Sequence, residues 1–133
     1  MNYYKWITNR QYRYFSRKVR DVQNSIWEYS FKVSKSRAIR EGIRMDRDRA
    51  MQAAANVEDA LKTAPADKKE DLEKSLAGNK ENATRYEAQM KMIDDQINGG
   101  AATQDNPAGI GILEQIKSLT ELRLMYIDYL GRI

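Results

Sequence analysis

The chain has 133 residues, 23 of them Lys or Arg and 19 Asp or Glu, for a net charge of +4. It holds no Cys and no His. That excludes disulfides, thiolate nucleophiles and Cys-based metal sites, and it removes the commonest general base and transition-metal ligand. Neither an enzyme nor a cofactor is expected. Apolar runs extend only a few residues, far short of the ~20 needed to cross a bilayer. No export signal opens the chain, so the expected location is the cytoplasm or a particle assembled there.

Charge is unevenly spread. Residues 1–49 hold 13 Lys or Arg against five Asp or Glu, whereas residues 50–133 hold 10 against 14. Nine of the twelve aromatics lie within the first 31 positions. The two halves therefore do different jobs. Their opposed charges favour head-to-tail contact between copies, or folding of one half on the other.

Residues 1–14 read as an aromatic and basic arm. The opening MNYYKWITNRQYRYF carries six aromatics, three cations and no acid. Tyr3, Tyr4, Trp6, Tyr12, Tyr14 and Phe15 alternate there with Lys5, Arg10 and Arg13. Tyr, Trp and Arg are the types enriched at protein hot spots, so these six aromatics are the expected partner contacts. The same mixture can stack bases and neutralise phosphates, but no zinc-finger spacing, basic zipper or clear helix-turn-helix accompanies it. A membrane surface fits least, because a lipid-facing helix needs a continuous aliphatic face.

Residues 15–63 follow as one long amphipathic helix. Phe15, Val19, Val22, Ile26, Tyr29 and Val33 alternate by four and three, and the register continues through Ser36, Arg40, Ile43, Arg47, Ala50, Ala54, Val57 and Leu61. A 3.5-residue period sustained this long is a coiled-coil seam. At 1.5 Å per residue the helix would reach on the order of 80 Å, too long for a compact domain of this size. It is expected to bend, break or project, and 34–36 is the weakest point, where the seam turns polar and serines are poor helix formers. Arg40 and Arg47 stand in the seam itself. A desolvated guanidinium needs an acidic partner, and the simpler expectation is that the covered face rotates after Ser36 and leaves both at its edge.

Two arginine rows decorate this helix. Arg10, Arg13, Arg17 and Arg20 lie opposite Phe15, Val19 and Val22. Arg37, Arg40, Arg44 and Arg47 repeat the spacing 27 residues later. The second row has Glu41, Asp46 and Asp48 to pair with along the helix, while the first has only Asp21 nearby. Both rows are candidate contacts for phosphate or an acidic partner. On a straight helix they would face opposite sides, since 27 residues is about seven and a half turns.

Residues 64–98 form the second helix of an antiparallel hairpin. Asp67 and Glu70 have capping-box spacing after Pro65. Leu72, Leu76, Asn79, Ala83, Tyr86, Met90, Ile93 and Ile97 keep the four-three alternation. Asn79 is the one polar member, a position where a buried Asn can set register. Residues 99–111 are a Gly-rich loop. Residues 112–133 form a C-terminal apolar helix with Ile112, Ile116, Leu119, Leu122, Tyr126, Tyr129 and Ile133 on one face. Leu113, Leu124, Ile127 and Leu130 widen that face, and a helix this apolar is expected to be mostly covered.

Catalytic and ligand motifs are faint. Gly109-Ile110-Gly111 lacks a third glycine, a preceding strand and a phosphate-binding lysine. Asp46-Arg47-Asp48 opens like a calcium loop without the glycine at its sixth position. Asp94-Asp95 has no third ligand.

The expected architecture is all-α: an elongated helical hairpin plus a third helix, with coiled-coil-like packing and no sheet. The expected function is a non-enzymatic subunit of a larger assembly, such as a virion or similar particle, that docks on protein partners as a homo- or hetero-oligomer. The alternative is a nucleic-acid-binding accessory protein that grips phosphates with the two arginine rows.

Overall fold

The structure, a computed structural model, describes residues 3–100 and 102–133, with side chains described at 9–100 and 102–133. Among them are three helices, α1 (Tyr3–Thr63), α2 (Ala66–Asn98) and α3 (Ile112–Arg132), and no strand. The fold is all-α, a hairpin of α1 and α2 plus a third helix.

α1 begins at Tyr3, so the described part of residues 1–14 is the first turns of this helix rather than a separate arm. No Gly or Pro precedes Gly42 to interrupt it. Nor does it break at 34–36. Serine in a helix interior costs only a few tenths of a kcal/mol against alanine, and Val33 beside the serines is buried.

The chain forms two compact units, one of Met1–Lys35 with Gln96–Ile133 and one of Ser36–Asp95. In the second, the later half of α1 packs against α2 across Ala64-Pro65. Every seam position from Ser36 to Leu61 is buried or half-buried, and so is every one from Leu72 to Ile93. Ile39, off the register, is half exposed at 50%. The covered face therefore does not rotate after Ser36, contrary to the simpler expectation.

Arg40 stays in the seam because it has the acidic partner that burial requires. Its Nε donates to Asp94 Oδ1 at 2.6 Å and its Nη2 to Oδ2 at 3.1 Å, a two-pronged pair with each side chain only about a third exposed (33% and 39%). Arg47 is also half-buried, and it pairs with its neighbour Asp48 at 3.1 Å. A second pair, Lys80–Glu58 at 3.2 Å, crosses the hairpin nearer its turn. In the register these pairs define, the buried Ala54 and Ala83 come level with one another. Asn79 sits half-buried in the same seam and makes no side-chain hydrogen bond among the described residues. Among the described residues, the polar side-chain contacts that cross the hairpin are thus the two ion pairs.

Asp67 does not cap α2. The helix starts at Ala66, where Lys68 N–H donates to Pro65 O at 3.1 Å, and Asp67 lies inside the first turn. There its charge complements the helix dipole.

In the other unit, α3 runs antiparallel to the first half of α1. Phe15 packs against Tyr126 and Tyr129 near the end of α3, with centroids 6.0 and 5.3 Å away. Tyr29 lines a groove with Ile110 and Leu119 near its start. Val22, Val33, Ile97 and Ile112 are buried here. The 99–111 loop closes on itself: Gly100 N–H donates to Gly109 O at 3.1 Å and Asn106 Nδ2 to Ile110 O at 2.8 Å. Gly99 turns the chain out of α2 at φ +89°, and a Cβ at Gly111 would collide with the backbone of Asn98 and Gly99. This is a compact Ω-type connection whose ends touch.

The Arg40–Asp94 pair should couple the two helices of the hairpin. In a double-mutant cycle of Arg40→Met and Asp94→Asn, measured by urea unfolding, a coupling of ~1–2 kcal/mol is expected. A coupling near zero would show that the pair is only a surface contact.

Candidate interaction surface on α1

Within the first unit, α1 carries two heptad registers. Positions 15, 19, 22, 26, 29 and 33 are covered, whereas Arg10, Arg13, Arg17, Arg20, Asn24, Trp27 and Phe31 are all exposed. The exposed set also alternates by three and four. It trails the covered set by two residues, and at 100° per residue that puts it on the far side of the helix. Along this outer face the chemistry changes from cationic to aromatic. Trp27 is 66% and Phe31 72% exposed.

Arg13, Arg17 and Arg20 make no ion pair among the described residues. With Tyr12 and Ser16 they line a shallow groove on the helix surface. Tyr14 stands on one flank, edge-on to Phe15 at 5.2 Å and with Lys18 Nζ 5.4 Å from its ring centre. Tyr12 and Tyr14 are thus exposed as a partner contact requires. Phe15, expected among those contacts, is instead half-buried against α3. Tyr3, Tyr4 and Trp6 lie outside the residues whose side chains are described.

The second arginine row has different company. Arg44 bridges Glu41 and Asp48, at 2.5 and 2.6 Å. Its hydrogen bond holds the Glu41 carboxyl below the ordinary carboxylate range, and Glu41 in turn raises the Arg44 guanidinium. Arg49 pairs with Asp46 at 3.4 Å, while Arg40 and Arg47 have Asp94 and Asp48. Only Arg37 of this row makes no ion pair among the described residues. The same pairs occupy the acids of the calcium-like Asp46-Arg47-Asp48 stretch, and Asp95 is taken by Lys91 at 3.0 Å. Among the described residues no three His, Cys, Asp or Glu side chains gather to hold a metal, and no helix is long and apolar enough to cross a membrane.

Trp27 and Phe31 were not expected as contacts. The available signal was their spacing of four, off the seam residues Ile26, Tyr29 and Val33 but in line with Arg13, Arg17 and Arg20. On α3 the widened apolar face is also left open: Leu113, Leu124 and Ile127 are exposed, Leu124 by 57%. Of the fifteen large hydrophobic residues exposed among the described residues, eleven belong to this unit.

If Phe15 belongs to the fold and Trp27 to a docking face, their substitutions should part company in dilute solution. Phe15→Ala should cost about 2 kcal/mol in urea unfolding, and Trp27→Ser should stay within ~0.5 kcal/mol of the parent. Equal losses would make the outer face part of the fold. No protein-family model matches the chain, and neither the curated proteins nor the solved structures hold a significantly similar one.

Proposed function

We propose that this protein is a non-enzymatic subunit of a larger protein assembly and docks on its protein partner through the outer face of α1. The reading rests on one observation. Trp27 and Phe31 stand exposed on the side of α1 opposite its covered seam, in line with Arg13, Arg17 and Arg20, which make no ion pair among the described residues. Large aromatics beside arginine form the centre of protein interfaces, where their removal from water supplies most of the binding energy. Tyr12 and Tyr14 flank that face, and Tyr3, Tyr4 and Trp6 of the preceding turns carry the same chemistry. Such a subunit would work in the cytoplasm or within a particle built there.

A second reading has its own observation. Arg13, Arg17 and Arg20, free of acidic partners among the described residues, could meet the phosphates of a nucleic acid. It loses ground at the second row, where Arg40, Arg44 and Arg47 are neutralised by this chain's own carboxylates.

Light scattering separates the two. The assembly reading expects a mass above the 15.4 kDa of one chain without nucleic acid. That mass should persist at high salt, where exposed charge pairs are screened but the aromatic contacts remain. A monomer under all conditions contradicts it. A monomer that grows only with an oligonucleotide, and with affinity falling steeply with salt, establishes the second reading in its place.

A further inference from the structure

The unit that carries the outer face of α1 has a second uncovered face, on α3. Glu114, Glu121 and Asp128 recur there at seven-residue spacing, and all three are exposed. Glu121 and Asp128 lie on the side of α3 turned away from Ile112, Ile116 and Leu119, which pack inward, and Glu114 stands at the edge of the groove that Tyr29 and Leu119 line. Asp128 shares a pair with Arg132 at 3.0 Å, whereas Glu114 and Glu121 make no ion pair among the described residues. Exposed Leu124 lies alongside.

The outer face of α1 is the complement. Arg13, Arg20 and Trp27 also recur every seven residues, so cations and then an aromatic stand at the interval at which α3 offers acids. The α1 face carries Arg13, Arg17 and Arg20, whereas the α3 face carries Glu114, Glu121 and Asp128 against Lys117 and Arg132, so the net charges are opposite. Each face also has apolar groups that its own chain leaves in water. An equal face could not serve as well in parallel register, since like charges placed opposite one another are repelled.

We propose that the outer face of α3 in one copy of this chain docks on the outer face of α1 in a second copy, head to tail. The proposal rests on the assembly reading above and names the partner. Each copy then keeps one unused α1 face and one unused α3 face, because α1 and α3 of a unit meet each other through their other sides. A contact between two different faces closes into a ring or continues as an array, and does not stop at a two-fold dimer.

Two variants test it, one for each face. Arg13→Glu with Arg20→Glu reverses the α1 face; Glu121→Lys with Leu124→Gln reverses the α3 face. Far-UV circular dichroism checks that each stays helical. Glu114→Lys with Glu121→Lys replaces the second variant if it does not. Each variant alone should scatter as a monomer of 15.4 kDa, its self-association weakened ~100-fold or more by the opposed like charges. An equimolar mixture should restore one interface and give a heterodimer of about 31 kDa, twice 15.4 kDa, while the parent protein exceeds a dimer. If the α3-face variant associates as the parent does, or the mixture stays monomeric, the head-to-tail contact is overturned and the assembly reading survives. A monomeric parent overturns both, and a parent that associates only on an oligonucleotide replaces a protein partner with a polyanion.

Discussion

A helix that repeats its apolar residues every seven positions must cover one face along its length, and α1 does so from Phe15 to Leu61. The covering is shared: α3 packs on the first half and α2 on the second. The polar stretch at Ser36, Arg40 and Arg47 does not interrupt it. A guanidinium can remain in such a face only if a carboxylate comes with it, and Asp94 reaches Arg40 from α2 at 2.6 Å. One charged pair thereby lets a continuous apolar seam tolerate a cation in its middle.

The position of acids decides which arginines stay available. Between 36 and 49, Glu41, Asp46 and Asp48 are interleaved with arginine at helical neighbour spacing, so pairs of three and four residues form within the helix itself. Between 9 and 35 only Asp21 and Glu28 are present, and neither pairs with Arg13, Arg17 or Arg20 among the described residues. The two rows look alike in composition and spacing. Their environments differ because the second has acids at helical neighbour spacing, whereas Arg13, Arg17 and Arg20 of the first make no ion pair among the described residues. The same unit that holds Arg13, Arg17 and Arg20, unpaired among the described residues, also holds exposed Trp27, Phe31, Leu124 and Ile127, and this coincidence of charge and apolar surface is what favours a protein interface.

Much of the fold was legible in the sequence because it depends on spacing within one helix. The four-three alternation marked the covered positions of α1 and α2 correctly, and Pro65 and Gly99 marked where the helices end. What escaped depends on partners distant in sequence. Arg40 was expected at the edge of the seam because Asp94 lies 54 positions away. Phe15 was read with its aromatic neighbours, although its register with Val19 and Val22 already placed it inward against Tyr126 and Tyr129. The covered register gives no sign of Trp27 and Phe31; their alignment with the arginines emerges only once exposure separates the two faces. Asp67 has the spacing of a cap, but the helix begins one residue earlier and takes it into the first turn.

Whether the outer face of α1 is covered in the working protein can be read from Trp27 itself. The chain has two tryptophans, so a Trp6→Phe variant leaves Trp27 as the sole reporter, and its emission and acrylamide quenching can be followed as the protein is concentrated. The expected result is a shift to shorter wavelength with falling quencher access as copies associate, reversed on dilution. Emission that stays fully solvent-exposed and freely quenched at every concentration would contradict the docking role of this face.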